Sequence, residues 1–327
     1  MTTMTTSDPV NQYYDVFNGD ADGICALHQL RMADPRPTAK LITGVKRDIR
    51  LLDQIASTKN SEITVFDISL DSNRQSLEKL LNHNLVRYFD HHFAGELPNS
   101  TNLDAHIDSA PETCTSLIVD KMLNGRFRNW AITGAFGDNL HKSAYQAASE
   151  TKLNDQELKI LKELGELLNY NGYGKSIDDL HFHPAILYES LKKFGDPLDF
   201  WHSSPELDRL RIGFEGDMDK ARLQPFKETK AGRIYRFPAL PWCRRVAGVF
   251  SNEKARERED LAHALLIDNG DNTIMASIRA PLSRRTGADE LCRAFPTGGG
   301  RPAAAGINAL PNEMLNNFIN AFDEVLG

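Results

Sequence analysis

Acidic side chains follow two short apolar segments near the start of the chain. Asp20 and Asp22 stand two residues apart in the turn after the predicted strand Tyr13–Asn18, and Asp67 lies near the end of the predicted strand Ile63–Ile68. Carboxylate oxygens are the ligands that hard divalent cations such as Mn²⁺ and Mg²⁺ prefer. Since a single Asp in a turn is ordinarily a turn former or a helix cap, only the combination of these acids indicates a metal site.

A third predicted strand, Leu85–Phe89, runs directly into Asp90-His91-His92, and a further acid, Asp138, follows another apolar run. Carboxylate oxygens combined with imidazole suit manganese or magnesium better than a thiolate-bound zinc site. Clustered carboxylates repel one another, and bound dications relieve that repulsion. The set therefore predicts two Mn²⁺ or Mg²⁺ ions that clamp a phosphate group between them.

The segments between these motifs explain how the motifs come together. Gly23–Ala33 and Asn73–Asn82 have helical periodicity and alternate with the predicted strands. This alternation predicts an α/β fold in which helices cover a parallel sheet. Because the carboxyl ends of parallel strands share one edge, where ligands bind to open sheets, we expect the acids to meet there.

Composition restricts both the protein class and its partners. The chain has 327 residues, of which 41% are hydrophobic and 25% charged, and its net charge is −7, which is typical of a soluble chain of two domains. The acidic charge disfavours a firm grip on long nucleic acid and favours a short nucleic acid or a nucleotide as substrate. The oligomeric state stays open, with a homodimer as one option.

Several features predict a cytoplasmic location. The four cysteines are scattered without a CxxC pair, as is usual in a reducing compartment. The N-terminal MTTMTTSDPVNQ lacks the basic and apolar regions of a signal peptide, and no apolar run approaches the roughly 20 residues of a membrane span. We therefore expect no membrane partner.

A change in sequence texture in the second half predicts a separate domain. We expect one domain over residues 1–195, a linker over 196–229 and a smaller mixed domain over 230–327. In the second domain, Val246–Phe250 and Asn272–Arg279 are predicted strands, and Glu253–Ile267 is a predicted helix.

The second predicted domain contains a glycine triplet, Gly298 to Gly300, followed by Arg301. Three glycines in a row allow backbone N–H groups to approach an anion closely, and arginine binds phosphate well. Arg279 ends the preceding predicted strand and could face the same ligand. The competing interpretations are a simple hairpin turn for the glycines and a surface position for Arg279.

In combination, these motifs resemble the DHH phosphoesterases, a family named for the Asp-His-His found here at Asp90-His91-His92. The acidic first motif, Asp67 and Asp138 occur in the family's order, and the stretch 298–306 resembles the glycine-rich signature of the DHH-associated C-terminal domain. The resemblance spans most of the chain. It implies a metal-dependent phosphodiesterase or exonuclease that releases nucleoside monophosphates from short oligonucleotides or dinucleotides.

The resemblance also implies individual roles. One ion would bind Asp20 and Asp67, and His92 would face the scissile phosphate while Asp90 orients the histidines. The ligands of the other ion would be Asp22, Asp67, His91 and Asp138. The substrate would bind the second domain at Arg279, Gly298, Gly299, Gly300 and Arg301.

Two positions depart from the family pattern. Asn18 stands where the first motif usually supplies another His or Asp, so it would be a weak metal ligand or would support the ligands from behind. Arg301 replaces the His that usually follows the third glycine, and arginine does not titrate near neutral pH. We expect both changes to affect metal affinity or substrate preference.

Three alternatives compete with hydrolysis of short substrates. The Asp20-Ala-Asp-Gly23 motif also resembles RecJ-type exonucleases, which act on single-stranded DNA. The departures at Asn18 and Arg301 would suit a non-catalytic nucleotide sensor. Inorganic pyrophosphatases share the DHH motifs, although they usually lack the glycine-rich signature.

Overall fold

The computed structural model describes residues 12–327, so most of the N-terminal segment tested for a signal peptide lies outside the described residues. The chain divides into two compact units, Met1–Ile212 and Gly213–Gly327. Each unit is built on a β-sheet with helices packed against it, which confirms the predicted α/β class. The stretch 196–229, predicted as a linker, contains two helices and a short strand.

The first unit contains a five-stranded sheet in which every neighbouring pair is parallel, as predicted. Two of its strands, β2 and β5, were not predicted from the sequence pattern. The strands are β1 (Gln12–Phe17), β2 (Lys40–Thr43), β3 (Ser61–Phe66), β4 (Leu85–Asp90) and β5 (Leu103–Ile107).

The strand order is β2-β1-β3-β4-β5. The chain therefore reverses its winding direction between β1 and β3, and in open parallel sheets a ligand-binding crevice forms outside the carboxyl ends of the two strands at such a point. The turns that carry Asp20 and Asp67 follow β1 and β3, so the order places them on both sides of this crevice.

Helices make up most of the rest of the first unit, together with short 3₁₀ turns. They are α1 (Ala21–Ala33), α2 (Leu70–Leu81), α3 (Thr115–Met122), α4 (Arg128–Gly137), α5 (His141–Ala148), α6 (Asp155–Gly172), α7 (Pro184–Leu191) and α8 (Pro197–Ser203). A ninth helix, α9 (Pro205–Arg222), crosses the boundary between the units.

Helix starts in the first unit follow from identifiable caps. Asp20 accepts a hydrogen bond from the Gly23 amide at the start of α1. Asn154 and Glu157 form a reciprocal capping box at the start of α6. Because Asp20 caps α1, its carboxylate is held at the carboxyl edge of the sheet.

Helix α4 packs unusually close to its neighbours, and glycines make this possible. A Cβ atom on Gly137 would lie 2.3 Å from the Cβ of Ala21 in α1. A Cβ on Gly134 would lie 2.4 Å from Ser116 Oγ in α3. These positions exclude larger residues, and they place the end of α4, with Asp138 as its cap, beside α1.

The second unit contains a six-stranded sheet of order β10-β11-β9-β8-β7-β6, with only the β7–β8 pair parallel. Its strands are β6 (Phe226–Glu228), β7 (Gly232–Phe237), β8 (Ala262–Asp268), β9 (Thr273–Arg279), β10 (Gly298–Arg301) and β11 (Ala304–Pro311). Its helices are α10 (Pro241–Glu257), α11 (Ala288–Arg293) and α12 (Leu315–Leu326).

Two secondary-structure predictions in this unit were wrong. Val246–Phe250, predicted as a strand, lies inside α10, because a short apolar run has the same pattern in a strand and in a buried helix. The predicted helix Glu253–Ile267 contains the end of α10 and then strand β8, whose Ala262–Leu266 segment is fully buried in the sheet. Burial between strands outweighs the helix propensity of its alanines and leucines.

All four cysteines are buried free thiols. No helix among residues 12–327 is long and apolar enough to cross a membrane.

Candidate metal centre

Four segments bring potential metal ligands to the carboxyl edge of the first sheet. Ligand atoms of Asp22, His91 and Asp138 lie within 4.8 Å of one another, and so do those of Asp67, His91 and His92. His91 belongs to both triads, so the two triads form one cluster. The structure thus assembles five of the predicted residues, which come from the start of α1, the ends of β3 and β4, and the end of α4.

Asp22 is held in place by the first turn of α3. Its two carboxylate oxygens accept hydrogen bonds from the Thr115 amide at 2.7 Å and from the Ser116 amide at 2.8 Å. Both amides are among those that a helix start leaves without an intrahelical partner, and the helix dipole favours a negative charge there. The buried Asp22 carboxylate is therefore held in one orientation.

Asp67 follows β3 in a left-handed backbone conformation, with φ of 59°. This conformation is uncommon outside glycine, and Asp is among the side chains that tolerate it best. Thr115 Oγ1 donates a hydrogen bond of 3.1 Å to Asp67 Oδ1, and His91 Nε2 lies 3.3 Å from the same oxygen. The strained turn therefore directs the carboxylate toward the histidine.

The electrostatics of the cluster favour binding of a cation. Burial raises the pKa of Asp67 well above its ordinary value, and the charges of Asp20, Asp22 and Asp138 raise it further. Burial also raises the pKa of Asp138, against the opposing charge of Lys46. Acids that resist ionisation because other acids crowd them become stable as anions when a divalent ion lies among them.

Lys46 lies within this cluster and was not predicted. Its Nζ is 2.5 Å from Asp20 Oδ2, 3.3 Å from Asp138 Oδ1 and 3.2 Å from Asn169 Oδ1. Burial opposes ionisation of Asp20, but the charge of and hydrogen bond from Lys46 outweigh it, so the pKa of Asp20 is lowered. Asp20 is thus at the site as predicted, but it is ion-paired and belongs to neither ligand triad.

Asp90 orients the second histidine of the motif. Its Oδ1 accepts the His91 amide at 2.9 Å and lies 2.7 Å from His92 Nδ1, which carries the proton in this pair. Burial lowers the pKa of His92, but the hydrogen bond to and charge of Asp90 outweigh that effect and raise it overall. This arrangement leaves Nε2 of His92 for a metal ion or a substrate.

Asn18 contributes to the site mainly by supporting the backbone of Lys46. Its side-chain amide donates to the backbone carbonyl of Lys46 at 3.2 Å. Its Oδ1 is buried and has no hydrogen-bond partner among the described residues. Buried carbonyl oxygens ordinarily have a partner, so this atom has capacity for a water or an ion.

The donor set fits the implied Mn²⁺ or Mg²⁺. Its oxygens come from Asp22, Asp67 and Asp138, its nitrogens come from His91 and His92, and no thiol takes part. Such a set of hard oxygen donors with imidazole suits these two metals. Asn18 Oδ1, a buried oxygen at the same edge with no hydrogen-bond partner among the described residues, is a further atom that could coordinate an ion.

The predicted substrate-binding residues belong to the second unit. Arg301 pairs in register with Ala304, and Ala304 pairs with Arg279, so the two arginines lie in one row across the sheet on the same face. Arg279 is oriented by hydrogen bonds to Asn252 Oδ1 at 2.8 Å and to Ser277 Oγ at 3.1 Å. Arg301 is exposed.

The glycine triplet forms edge strand β10 rather than an open loop. A Cβ on Gly298 would lie 1.8 Å from Cys292 O, and one on Gly300 would lie 2.5 Å from Ala305 Cα. Gly300 also has φ of 139°, which side chains rarely adopt. Packing therefore requires Gly298 and Gly300, whereas a Cβ on Gly299 would meet no described atom within 4 Å.

Three polar residues of the site were missed, and one of them had a usable signal. Lys46 lies three residues after β2, so recognition of Lys40–Thr43 as a parallel strand would have placed it at the same edge. Thr115 and Ser116 act through their amides and a hydroxyl at the start of α3. Their sequence offers no signal for this contact, because it depends on how α3 docks against α1.

No family model and no curated protein matches the chain. The solved structures that are similar over 96% of the chain include those of the following three proteins. One is a DHH-domain protein described as a member of a family of ribosomal proteins, with a TM-score of 0.59, 12% identity and 86% of that chain covered. RecJ from Thermus thermophilus in complex with Mn²⁺ has a TM-score of 0.62 and 14% identity, and the match covers 51% of RecJ. The pGpG-specific phosphodiesterase PggH from Vibrio cholerae has a TM-score of 0.52 and 13% identity and is covered completely.

At these identities the comparisons show a shared fold. The chain has the fold of DHH-domain proteins, which confirms the fold that the resemblance implied. The match spans about half the length of RecJ from Thermus thermophilus and the whole length of PggH.

Proposed function

We propose that the chain is a DHH-type phosphoesterase that uses Mn²⁺ or Mg²⁺ to hydrolyse phosphodiester bonds in short oligonucleotides or dinucleotides, releasing nucleoside monophosphates. The observation that carries the proposal is the cluster of Asp22, Asp67, His91 and Asp138 at the switch point of the parallel sheet. The chain shares its fold with RecJ and PggH, which are described as an exonuclease and a phosphodiesterase. A cytoplasmic location remains a prediction.

Asp22, Asp67, His91 and Asp138 would hold the metal. A bound dication in such a site neutralises phosphate charge and makes water a better nucleophile. The sequence predicts two ions, with Asp20 as a ligand of the first, and binding of both would require Lys46 to release Asp20. The α3 amides hold the Asp22 carboxylate in place for this role.

His92, oriented by Asp90, would act on the leaving group. Asp90 holds Nδ1 of His92, so Nε2 can reach a phosphate oxygen or the oxygen that leaves. The hydrogen bond to and the charge of Asp90 outweigh burial and raise the pKa of His92, which suits a proton donor or a cation beside the phosphate. His92 also belongs to one ligand triad, so metal binding and proton donation are competing roles for it.

The resemblance to the DHH family implies different roles for the two units. The first unit would carry out hydrolysis, and the second would bind the nucleotide or its terminal phosphate. Asn252 and Ser277 hold Arg279 in position, and Arg301 lies in the same row on the sheet. Two guanidinium groups on one face, that of Arg279 held in place by its neighbours, are suited to a phosphate.

Substrate length is the finer part of the proposal. The net charge of −7 disfavours long nucleic acid held mainly by its phosphates. PggH, which the chain matches over its full length, is named for a dinucleotide substrate, whereas the matches to two RecJ chains cover 51% and 89% of them. Both points support short substrates over single-stranded DNA.

A substrate panel tests this proposal. The purified protein is incubated with a dinucleotide, labelled oligonucleotides of increasing length and pyrophosphate, each with Mn²⁺, Mg²⁺ or a chelator. We expect metal-dependent release of monophosphates that is fastest on the shortest substrates. Faster cleavage of strands beyond about 20 nucleotides would favour a RecJ-like exonuclease, and preferred hydrolysis of pyrophosphate would favour a pyrophosphatase.

Two variants connect the activity to the site. Asp67→Ala should lose both turnover and metal binding, whereas His92→Ala should lose turnover and keep most of the metal. Asp178→Ala, which removes an exposed acid, is the matched control and should behave as the wild type. Full activity in either site variant would refute the assigned roles.

One observation favours a second candidate, a non-catalytic nucleotide sensor. Lys46 already neutralises Asp20, a predicted ligand of the first ion. A sensor would bind nucleotides with no turnover at any concentration of divalent metal. The same panel, combined with calorimetric measurement of nucleotide binding, distinguishes the two candidates.

A further inference from the structure

The Lys46 ammonium lies within the acidic cluster and contacts three oxygen acceptors. Asp20 Oδ2, Asp138 Oδ1 and Asn169 Oδ1 all lie within 3.3 Å of Nζ. The ring of Tyr173 adds a contact 5.7 Å from its centroid. An ammonium group donates three hydrogen bonds, and these three oxygens match that number.

The backbone around Lys46 fixes the position of the side chain. The Lys46 amide donates to the Gly172 carbonyl at the end of α6 at 2.8 Å. The Lys46 carbonyl accepts from the Asn18 side chain at 3.2 Å. Both neighbours belong to the walls of the site, so the lysine is anchored at its base as well as at its tip.

Asp20 has a protein partner on each carboxylate oxygen. Oδ1 caps α1 by accepting the Gly23 amide, and Oδ2 accepts from Lys46. Asp20 is also absent from both ligand triads found among the described residues. Asp67 Oδ1 and Asp138 Oδ2, by contrast, lie 3.3 Å and 3.7 Å from His91 Nε2, and Lys46 contacts Asp138 only through its other oxygen, Oδ1.

A divalent ion on Asp20 and the Lys46 ammonium would compete for the same oxygen. Two cations of total charge +3 within hydrogen-bond distance of one carboxylate repel strongly in a buried site. The lysine is tethered by the chain, so its effective concentration at Asp20 is high and independent of free metal.

From this geometry we infer that Lys46 is a built-in replacement for one of the two metal ions, so that the centre binds a single divalent ion at Asp22, Asp67, His91 and Asp138. The inference rests on the proposed function, because it concerns the metal site of that reaction. It replaces the two-ion prediction with one ion and one fixed ammonium group.

Counting bound manganese tests the inference without measuring activity. The protein is stripped with a chelator, dialysed against Mn²⁺ and assayed for metal per chain, and its electron paramagnetic resonance spectrum is recorded. We expect one ion per wild-type chain with the spectrum of an isolated Mn²⁺. Lys46→Met, which keeps the length of the side chain and removes its charge, should bind two ions with the spectrum of a coupled pair.

Three further variants test whether the charge of Lys46 sets the number of bound ions. Lys46→Arg keeps the charge and should bind one ion. Lys46→Met combined with Asp20→Asn should bind one ion, because the second ion then lacks its carboxylate. Lys159→Met removes an exposed lysine on α6 and should bind one ion like the wild type.

The outcomes separate this inference from the proposed function. Two coupled ions in the wild type would overturn the inference and leave the phosphoesterase in place, and this result does not depend on any variant folding. A single ion in Lys46→Met that melts cooperatively would also overturn it. A protein that binds no Mn²⁺ would overturn the proposed function together with the inference.

Discussion

Replacement of Asp67 by Asn should stabilise the protein when no metal is bound. Asp67 is buried, and burial together with three neighbouring acids raises its pKa well above the ordinary value. Asn has the same shape, carries no charge and tolerates the left-handed backbone of this residue. Its side-chain oxygen can still accept the hydrogen bond from Thr115.

The size of the effect has an upper limit set by pH. A carboxyl that stays protonated in the folded protein at pH 7, but ionises in the unfolded chain with a pKa near 3.9, lowers the free energy of unfolding by at most about 4 kcal/mol. Lys46 offsets part of this penalty by favouring the charged form. We therefore expect Asp67→Asn to raise the free energy of unfolding by about 2 kcal/mol at pH 7.

The gain should depend on pH with a defined sign. Because the pKa of Asp67 is higher in the folded than in the unfolded protein, its contribution is fully present below about pH 4 and is lost as the pH rises toward the folded-state pKa. The advantage of Asp67→Asn should therefore disappear near pH 4 and grow toward neutral pH.

Urea denaturation in a chelator, monitored by circular dichroism at several pH values, measures this difference. Asp178→Asn, at an exposed position, is the control and should match the wild type. Saturating Mn²⁺ should reverse the order, since a ligand at 100 times its Kd adds about 2.7 kcal/mol to the wild type and little to the variant. A metal-free variant less stable than the wild type at neutral pH, or a gain independent of pH, would refute the reasoning.

Three other perturbations have distinct expected outcomes. Asp22→Ala leaves two buried amides of α3 unpaired and should lower the free energy of unfolding in a chelator by at least about 2 kcal/mol, the opposite of Asp67→Asn; an unchanged urea midpoint would contradict the capping role. Gly137→Val should lower the melting temperature by several degrees and weaken Mn²⁺ binding, because overpacking against Ala21 costs about 1–3 kcal/mol. Gly195→Ala, where a Cβ meets open space, is the control. Equal melting temperatures of Gly137→Val and the wild type would disprove the close packing of α4. Burial lowers the pKa of His28 to about 4, so between pH 7 and 4 the ring takes up a proton more readily in the unfolded than in the folded protein. Acidification from pH 7 to 4 should therefore lower the free energy of unfolding by roughly 3 kcal/mol. The stability of His28→Gln should be less sensitive to acid, and an identical pH profile of the two proteins would contradict this.

The metal cluster was predictable from sequence because it depends on the periodicity of strands. Apolar segments that end in Asp20, Asp67 and Asp90 predict parallel strands, and parallel strands place their carboxyl ends at one edge. The strand order around β1 and β3 then brings Asp22 and Asp67 to the same crevice. Pattern and topology are sufficient for this part of the site.

Features that depend on docking were not predictable in the same way. The short strand β2 lacks a strong pattern, so Lys46 was not assigned to the site. The support of Asp22 by Thr115 and Ser116 depends on the glycines that let α3, α4 and α1 approach. In the second unit, strand β8 contains residues with high helix propensity, and only its burial in the sheet decides its conformation.

The glycine triplet shows a different limit of sequence interpretation. Its composition suggested a loop open to an anion, yet two of the three glycines are required by contacts of β10 with its own unit. Gly299 is the position where packing imposes no such requirement. The proposed phosphate binding by this segment would therefore depend on Arg301 and Arg279 more than on the glycines.

The proposed phosphoesterase requires Asp22, Asp67, His91 and Asp138 to form one metal site. Crystals grown without metal and soaked in Mn²⁺, with anomalous data collected at the manganese absorption edge, test it directly. We expect an anomalous peak within coordination distance of these four side chains, and its loss in Asp67→Asn crystals. A peak located elsewhere, or no peak at Mn²⁺ concentrations that support phosphodiester hydrolysis, would rule out this metal site.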